Sequence, residues 1–385
     1  MRKSADHILS LDLCRGLAAI CVMFYHITFL FSETVHLFPR GYLCVDFFFL
    51  LSGYVIAKSY DGKIASGLSL KAFCVLRIAR LWPLVLLTTA IGFAFQIVRF
   101  YRYIPDLNPW DLVVSLASNL VMFPSPRSPN DILFPFNPAA WSIFFELVSN
   151  VIYVVAFRYL VGHALGVTIS LSALALVWTA VAFNSLDVGM TQGNFVFGLP
   201  RVMFSFFLGV LLYRRRDDLW MLPTTSSRPF FVGLIAAGIV LSIPKISIDH
   251  LDGLIDLIAV LIVFPIILRI AERAPLSDRM NWHAWFLGGI SYSVYLLQTP
   301  LVIGFSALPQ LFFDQKIGLF LPWAGFVFAV ILPPIAYVTW KYFERPAQRW
   351  LIRVLLKGEA QAPIAAARQS RADGHDQYTS GSIKP

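Results

Sequence analysis

Charged residues are scarce in this sequence. They make up 14% of its 385 residues, while hydrophobic residues make up 58%. A soluble domain carries about 25% charged and about 45–50% apolar residues, so one buried core cannot account for the excess. The composition excludes an ordinary soluble domain and predicts a chain whose outer surface faces lipid.

Cysteines are few, and features typical of several other protein classes are missing. The four cysteines, Cys14, Cys21, Cys44 and Cys74, form no CxxC pair. We therefore predict small buried residues and neither a disulfide framework nor a metal site. We expect no cleaved signal peptide, because the first apolar run is too long and lacks a small-residue cleavage site. No internal repeat is visible, which weakens a transporter interpretation.

Long apolar runs define the predicted fold class. A membrane-spanning helix needs roughly 20 mostly apolar residues. We predict an all-α integral membrane protein with about ten transmembrane helices, at 8–31, 42–58, 79–98, 138–158, 163–183, 195–213, 229–244, 252–270, 285–306 and 318–340. A shorter run, 111–123, precedes a proline-rich stretch and is predicted to be a re-entrant or interfacial helix. Residues 1–357 would form a single transmembrane domain, and residues 358–385 a disordered cytoplasmic tail.

The net charge of +9 is explained by membrane topology. The basic residues lie mostly in short loops between apolar runs, so we predict no nucleic-acid partner. With the N-terminus in the cytoplasm, most arginines and lysines fall on the inner side, and both termini are then cytoplasmic. The few left outside are Arg40, Arg99, Arg102, Arg127, Lys245 and Lys316.

Polar residues within apolar spans are costly, and we treat them as functional hypotheses. Arg15 and His26 are eleven residues apart in the first span, so they share one helical stripe about 16 Å long. Asp12 lies one turn before Arg15 and can pair with it. His26 is suited to act as a general base, although an anchoring arginine and a hydrogen-bonded core histidine are the plainer alternative.

The second span holds Asp46, with Ser52 and Gly53 further along the helix. A carboxylate here needs a partner, which we expect to be an arginine or histidine of the first span. A structural ion pair and a catalytic role both remain open for Asp46. Gly53 is predicted to permit close helix packing.

Two arginines, Arg77 and Arg80, stand three residues apart before the third span. They would share one face at the inner membrane surface, where two guanidinium groups suit a phosphate-bearing ligand. Membrane topology alone would also place arginines there, so both explanations stay open.

Two later spans carry polar stripes. Ser142, Glu146 and Asn150 follow at steps of four, and the buried glutamate predicts a site-forming role. Ser291, Tyr295 and Gln298 lie on one face of another span, beside Gly288 and Gly289. Interhelical hydrogen bonding explains most of this second stripe.

Taken together, these strings resemble the acyltransferase-3 family of bacterial membrane O-acyltransferases. The family pattern is an arginine, ten residues and a histidine, then a VDFFFxLSG-like string, R-x-x-R before a proline, WSxxxE, G-x-ISYSxYL and E-x-P. Here these strings occur in order as Arg15 and His26, Val45 to Gly53, Arg77, Arg80 and Pro83, Trp141, Ser142 and Glu146, Gly288 to Leu296, and Glu344 and Pro346.

The resemblance implies transfer of an acyl group, usually acetyl, from cytoplasmic acyl-CoA to a sugar hydroxyl, without a metal. The acceptor would be a glycan or lipid-linked sugar, and the location the bacterial inner membrane, in contact with membrane lipid. The resemblance also implies that His26 is the catalytic base and that Arg15 is essential beside it.

The same resemblance assigns the donor site. Arg77 and Arg80 would contact the CoA phosphates, and we assign Ser142 and Tyr292 to donor binding and Glu146 and Asp46 to the catalytic group. We expect His26 and Glu146 in the outer half of the bilayer, with Arg15 or a hydroxyl steadying the oxyanion.

Two departures from the family pattern matter. Gln298 stands where the family often has a histidine, so we expect no proton transfer there. Leu76 replaces an arginine before R-x-x-R, which weakens the phosphate clamp.

The alternative function is a polytopic transporter of a lipid-linked sugar or small solute that uses the buried charges.

Overall fold

The computed structural model describes residues 8–32, 36–104, 107–217, 226–246, 248–313 and 317–356. Within these ranges the regular secondary structure is helical, and one isolated bridge joins Ile132 and Thr191. The α-helices are α1 Leu9–Ile27, α2 Cys44–Ala65, α3 Leu70–Tyr103, α4 Pro109–Leu120, α5 Ala140–Val155, α6 Gly162–Phe183, α7 Gly198–Arg214, α8 Arg228–Ser242, α9 Leu251–Ile258, α10 Phe264–Arg273, α11 Asp278–Phe313, α12 Trp323–Thr339 and α13 Arg345–Leu355. The predicted tail, 358–385, lies outside the described residues.

The helical bundle confirms the all-α, multi-pass prediction. Eight helical segments of the described chain are long and apolar enough to cross a membrane. Two further predicted spans correspond to the shorter apolar helices α5 and α8. The count of ten spans and the cytoplasmic placement of the termini stay predictions. One π-helical turn joins α9 to α10 and another joins α12 to α13, so each pair forms one continuous rod.

Helix α4 is too short to be a span, because its 12 residues cover about 18 Å. The Trp82 indole N–H donates to the Leu120 carbonyl at the end of α4 (2.7 Å). The chain then returns through the bundle, where the amide of Asn137 donates to Thr88 (2.8 Å) and to the Leu296 carbonyl (3.1 Å). This path delivers the start of α5 among the other helices, and the re-entrant or interfacial helix at 111–123 stays a prediction.

The two ends of the bundle carry different charges. We call the end where α2 and α7 finish the basic end. There Arg214 pairs with Asp61 (2.8 Å), and Arg273 donates to the Arg216 carbonyl (3.0 Å). At the opposite end, which we call the far end, α2 begins. In the predicted topology the basic end is the cytoplasmic one.

A buried ion cluster fastens the far end. Arg40, predicted as an outer-loop charge, is 0% exposed. Its guanidinium binds Asp252 and Asp256 (2.8 Å to the latter), and the Tyr42 hydroxyl donates to Asp256 (2.7 Å). Because every charge in this cluster has a partner, it ties the start of α2 to α9.

Close helix packing at Gly53 holds α2 against α7. A Cβ at Gly53 would fall on the Phe206 carbonyl, and one at Gly209 would fall on the Leu50 carbonyl. The two glycines therefore let the two backbones meet from both sides, as predicted for Gly53.

We expect Gly53→Ala to destabilise the protein by about 1–3 kcal/mol, because an added methyl group must push two backbones apart. Gly62→Ala is the matched control on the same helix, since no atom lies within 4 Å of its Cβ position. Thermal unfolding in detergent measures both variants. Equal unfolding temperatures for the two would contradict the packing argument.

Candidate active site

A long cavity of ≈ 680 Å³ opens between α1, α2, α3, α5 and α11. One face of α2 lines it from Lys63 to Val45, a stretch of about 27 Å along the helix axis. The cavity therefore runs from the basic end deep into the bundle. Its length suits an extended ligand.

The charges that line this cavity are mainly positive. Its two carboxylates belong to Asp12 and Glu146. Its five cationic side chains are Arg15, Lys58, Lys63, Arg77 and Arg80. Such an excess of cations in a partly buried cleft attracts anionic ligands, phosphates above all.

Arg77 lies against α5. Its guanidinium donates to Glu146 (3.0 Å), and the Ser52 hydroxyl donates to the same carboxylate (2.7 Å). The prediction that Glu146 lies further out than the arginines is therefore wrong. The physical reason is that α5 begins inside the bundle after the re-entrant segment, so Glu146 reaches the level of Arg77.

Arg80 is held by Glu344, a residue with no predicted role. Its guanidinium binds Glu344, which is 1% exposed and also accepts from the Ser293 hydroxyl (2.8 Å). Arg80 also stacks over the Tyr292 ring at 5.3 Å. The E-x-P string marked Glu344, but only the folded chain shows that it faces Arg80.

Arg15 enters the cavity from α1. It donates to Asp12 (2.7 Å), as predicted, and to the Gly288 carbonyl (3.0 Å). The Nε atoms of Arg15 and Arg77 are buried and have no hydrogen-bond partner among the described residues. Buried donors without partners are rare and call for an explanation, and an anionic ligand in this cavity would supply one.

The deep end of the cavity is lined by hydroxyl groups. The Ser142 Oγ and Tyr295 hydroxyl are 2.7 Å apart, and the Phe48 ring meets the Tyr295 ring edge-on. Ser142 also donates to the Ala139 carbonyl (3.0 Å). This end is uncharged, in contrast to the arginine-lined middle.

His26 lies beyond that end and does not line the cavity. Its ring is beside the side chain of Gln298, one helical turn past Tyr295 on α11. Its Nδ1 is buried without a hydrogen-bond partner among the described residues. Six of the eight predicted site residues thus line one cavity, namely Arg15, Arg77, Arg80, Ser142, Glu146 and Tyr292, while His26 and Asp46 stand apart.

Asp46 has a different partner from the one predicted. Both of its carboxylate oxygens accept from Arg201 of α7 (2.6 and 3.2 Å), and not from the first span. Arg201 also donates to the Val188 carbonyl (2.7 Å) and stacks over Trp141 at 5.1 Å. Because α2 packs on α7 across Gly53, its carboxylate meets an arginine of that helix.

We expect Arg201→Met to lower stability by about 3–5 kcal/mol, because it leaves Asp46 buried and unpaired. The double variant Arg201→Met/Asp46→Leu should recover most of this loss, since neither charge remains. Thermal unfolding of purified protein in detergent measures both. A double variant as unstable as the single one would show that the ion pair itself supplies the stability.

No group of three or more His, Cys, Asp or Glu side chains within the described ranges is arranged to hold a metal ion. The four cysteines are free thiols, and Cys14 and Cys44 are buried.

Comparison with known proteins bears on this site. A family model described as an acyltransferase domain matches residues 8–340. "Protein 2 in picA locus" of Rhizobium radiobacter is 35% identical over 163 residues, 38% of this chain and 81% of that protein. "Putative acetyltransferase ORF330" of Acidianus two-tailed virus is 22% identical over 290 residues, 73% of this chain and 79% of that protein. No solved structure matches the chain.

The matched segment begins before Arg15 and ends after Tyr295, so it contains the whole cavity and His26. Because the family model covers most of the sequence, this membrane protein belongs to the acyltransferase-3 family and is an acyltransferase.

Proposed function

We propose that this protein transfers an acyl group, in the first instance acetyl, from acyl-CoA to a sugar hydroxyl. The observation that carries the proposal is the cavity itself. It is lined by five cationic side chains, includes two buried guanidinium Nε atoms without partners among the described residues, and ends in hydroxyl groups one helical turn before Gln298, the neighbour of His26. Acyl-CoA is an extended ligand with phosphates at one end and a neutral thioester at the other, so it matches this gradient of charge.

The donor enters from the basic end. Lys58 and Lys63 of α2 lie where the cavity opens at the basic end, and Arg77 and Arg80 of α3 lie deeper in it. A guanidinium has five N–H donors, so each arginine can hold its carboxylate and still donate to a phosphate. The pantetheine arm then points along α2, and the thioester reaches the Ser142–Tyr295 pair and passes it toward His26.

His26 acts as the base. It takes the proton of the acceptor hydroxyl while the hydroxyl oxygen attacks the thioester carbonyl. The C–S bond breaks, the proton passes to the departing CoA sulfur, and the products are an ester and free CoA. Arg15 is about 16 Å from His26 along α1, so it holds the donor and the oxyanion needs another hydrogen-bond donor.

The acceptor approaches from the far end. Tyr25, beside His26, donates to Asp187 (2.8 Å), and Lys245 lies 3.9 Å from that carboxylate. The carboxylate is 35% exposed, which suits hydrogen bonds to sugar hydroxyls. This arrangement supports a glycan or lipid-linked sugar arriving outside the bacterial inner membrane while acyl-CoA binds inside.

Inside-out membrane vesicles test the proposal. We expect radiolabel from acetyl-CoA to move into glycans extracted from the native host. Arg77→Lys should raise the KM for acetyl-CoA about tenfold, because an ammonium group cannot form the two parallel hydrogen bonds that a planar guanidinium donates to a phosphate. Arg279→Lys is the matched control, since Arg279 is exposed outside the cavity. Absence of thioester consumption with every acceptor would overturn the proposal and favour the transporter.

A further inference from the structure

Gln298 is a buried amide that contacts the His26 imidazole without forming a hydrogen bond of regular geometry. Its side chain is 0% exposed, and neither its Oε1 nor its Nε2 has a hydrogen-bond partner among the described residues. The other polar side chains of α11 between 291 and 299 all have partners, namely Ser291, Tyr292, Ser293, Tyr295 and Thr299. Gln298 is therefore the one polar side chain in this stretch of α11 that has no hydrogen bond of regular geometry among the described residues.

An amide in this condition is unfavourable for the folded protein. Burying polar groups without partners destabilises the fold, whereas replacing them by apolar groups of the same shape is neutral or stabilising. The contact with one imidazole cannot satisfy both the carbonyl and the amino group of a primary amide, so interhelical hydrogen bonding does not account for a glutamine at this position. A ligand that brings both a donor and an acceptor would satisfy it.

The position of the amide narrows the choice of ligand. Gln298 lies beside His26, whose Nδ1 is also without a partner. One turn earlier on α11, Tyr295 lines the deep end of the cavity. The amide does not line the cavity, but it lies one helical turn beyond Tyr295 and beside the imidazole, where the proposed reaction places the acyl carbonyl.

We propose that Gln298 is the oxyanion donor of the transfer reaction, an inference that rests on the proposed function. Its Nε2–H donates to the thioester carbonyl oxygen. This hydrogen bond strengthens as the acceptor oxygen attacks and negative charge moves onto the carbonyl oxygen. When the C–S bond breaks, the charge leaves with sulfur and the amide holds the neutral ester. A primary amide performs this task without gaining or losing a proton, so it does not compete with His26.

Two non-transferable CoA thioethers test the contact directly. S-acetonyl-CoA keeps a carbonyl oxygen near the acyl position, and S-propyl-CoA differs from it only in lacking that oxygen. We expect the wild-type protein in detergent to bind the acetonyl compound about five- to tenfold more tightly. In Gln298→Met, which keeps the shape and removes the N–H, the two compounds should bind equally.

Turnover gives the second measurement. Gln298→Met should lower kcat by about 10²–10³-fold while raising the KM for acetyl-CoA by no more than the about five- to tenfold expected from the binding of the acetonyl compound. Its thermal stability should be unchanged or higher, because a buried unsatisfied amide has been removed. Ser205→Ala, which removes a buried hydroxyl of α7 that also has no partner among the described residues, is the matched control and should leave kcat unchanged.

The outcomes separate the two proposals. If Gln298→Met keeps the wild-type preference for the acetonyl compound, or keeps its kcat, the oxyanion role is overturned while the proposed function stands. If the wild-type protein binds neither thioether and consumes no thioester, the proposed function fails and this inference fails with it. Loss of the preference together with loss of kcat supports the assignment.

Discussion

His26→Ala is expected to reduce acyl transfer by about 10²–10⁴-fold, the usual contribution of a positioned general base. The affinity for acyl-CoA should stay close to that of the wild type. The reason is geometric, because His26 lies beyond the deep end of the donor cavity and does not line it. Steady-state transfer of label from acetyl-CoA measures the rate, and equilibrium binding of S-propyl-CoA measures the affinity separately.

His283→Ala is the matched control for this experiment. His283 is on the same helix as Gln298 but exposed, with its Nδ1 2.7 Å from the Arg279 carbonyl oxygen. It should transfer acyl groups at the wild-type rate. A His26→Ala protein that transfers at the wild-type rate would remove the base assignment, and one that loses donor binding would place His26 in the donor site.

Helical periodicity predicted well which residues share a face. Arg15 and Asp12 meet one turn apart, as their spacing required, and Arg77 and Arg80 line one cavity. Such predictions depend only on the fixed geometry of a single helix. The all-α membrane fold followed equally directly from the length of the apolar runs.

Helical periodicity could not reveal which helices are neighbours. Asp46 needs a cationic partner, and the predicted one was an arginine or histidine of the first span. The actual partner, Arg201, lies 155 residues away, and α7 becomes a neighbour because Gly53 and Gly209 let it approach α2. The order of the helices along the chain does not predict which of them pack against each other.

Depth in the membrane was misjudged for a related reason. Glu146 was placed far out on the assumption that its helix starts at the outer surface. Instead the segment after α4 carries the chain inward, where Asn137 bonds to Thr88 and Leu296. The missing hydrogen bonds of Gln298 were equally invisible, because a sequence shows polar residues but not whether they find partners.

Arg80→Ala should have two separable effects. The first is a loss of stability of about 3–5 kcal/mol, because Glu344 stays buried without its cation. The second is weaker donor binding by about 10- to 100-fold, the value of one charge-assisted hydrogen bond to a phosphate. Thermal unfolding in detergent measures the first effect, and the KM for acetyl-CoA measures the second.

The double variant Arg80→Ala/Glu344→Gln separates stability from binding. A neutral amide in place of the carboxylate no longer needs a cation and can still accept from Ser293, so stability should return toward that of the wild type. The KM should remain high, because the phosphate has still lost its guanidinium. If the double variant also regained wild-type KM, Arg80 would act only by neutralising Glu344. The donor phosphates would then have to be held by Arg77, Lys58, Lys63 and Arg15 alone.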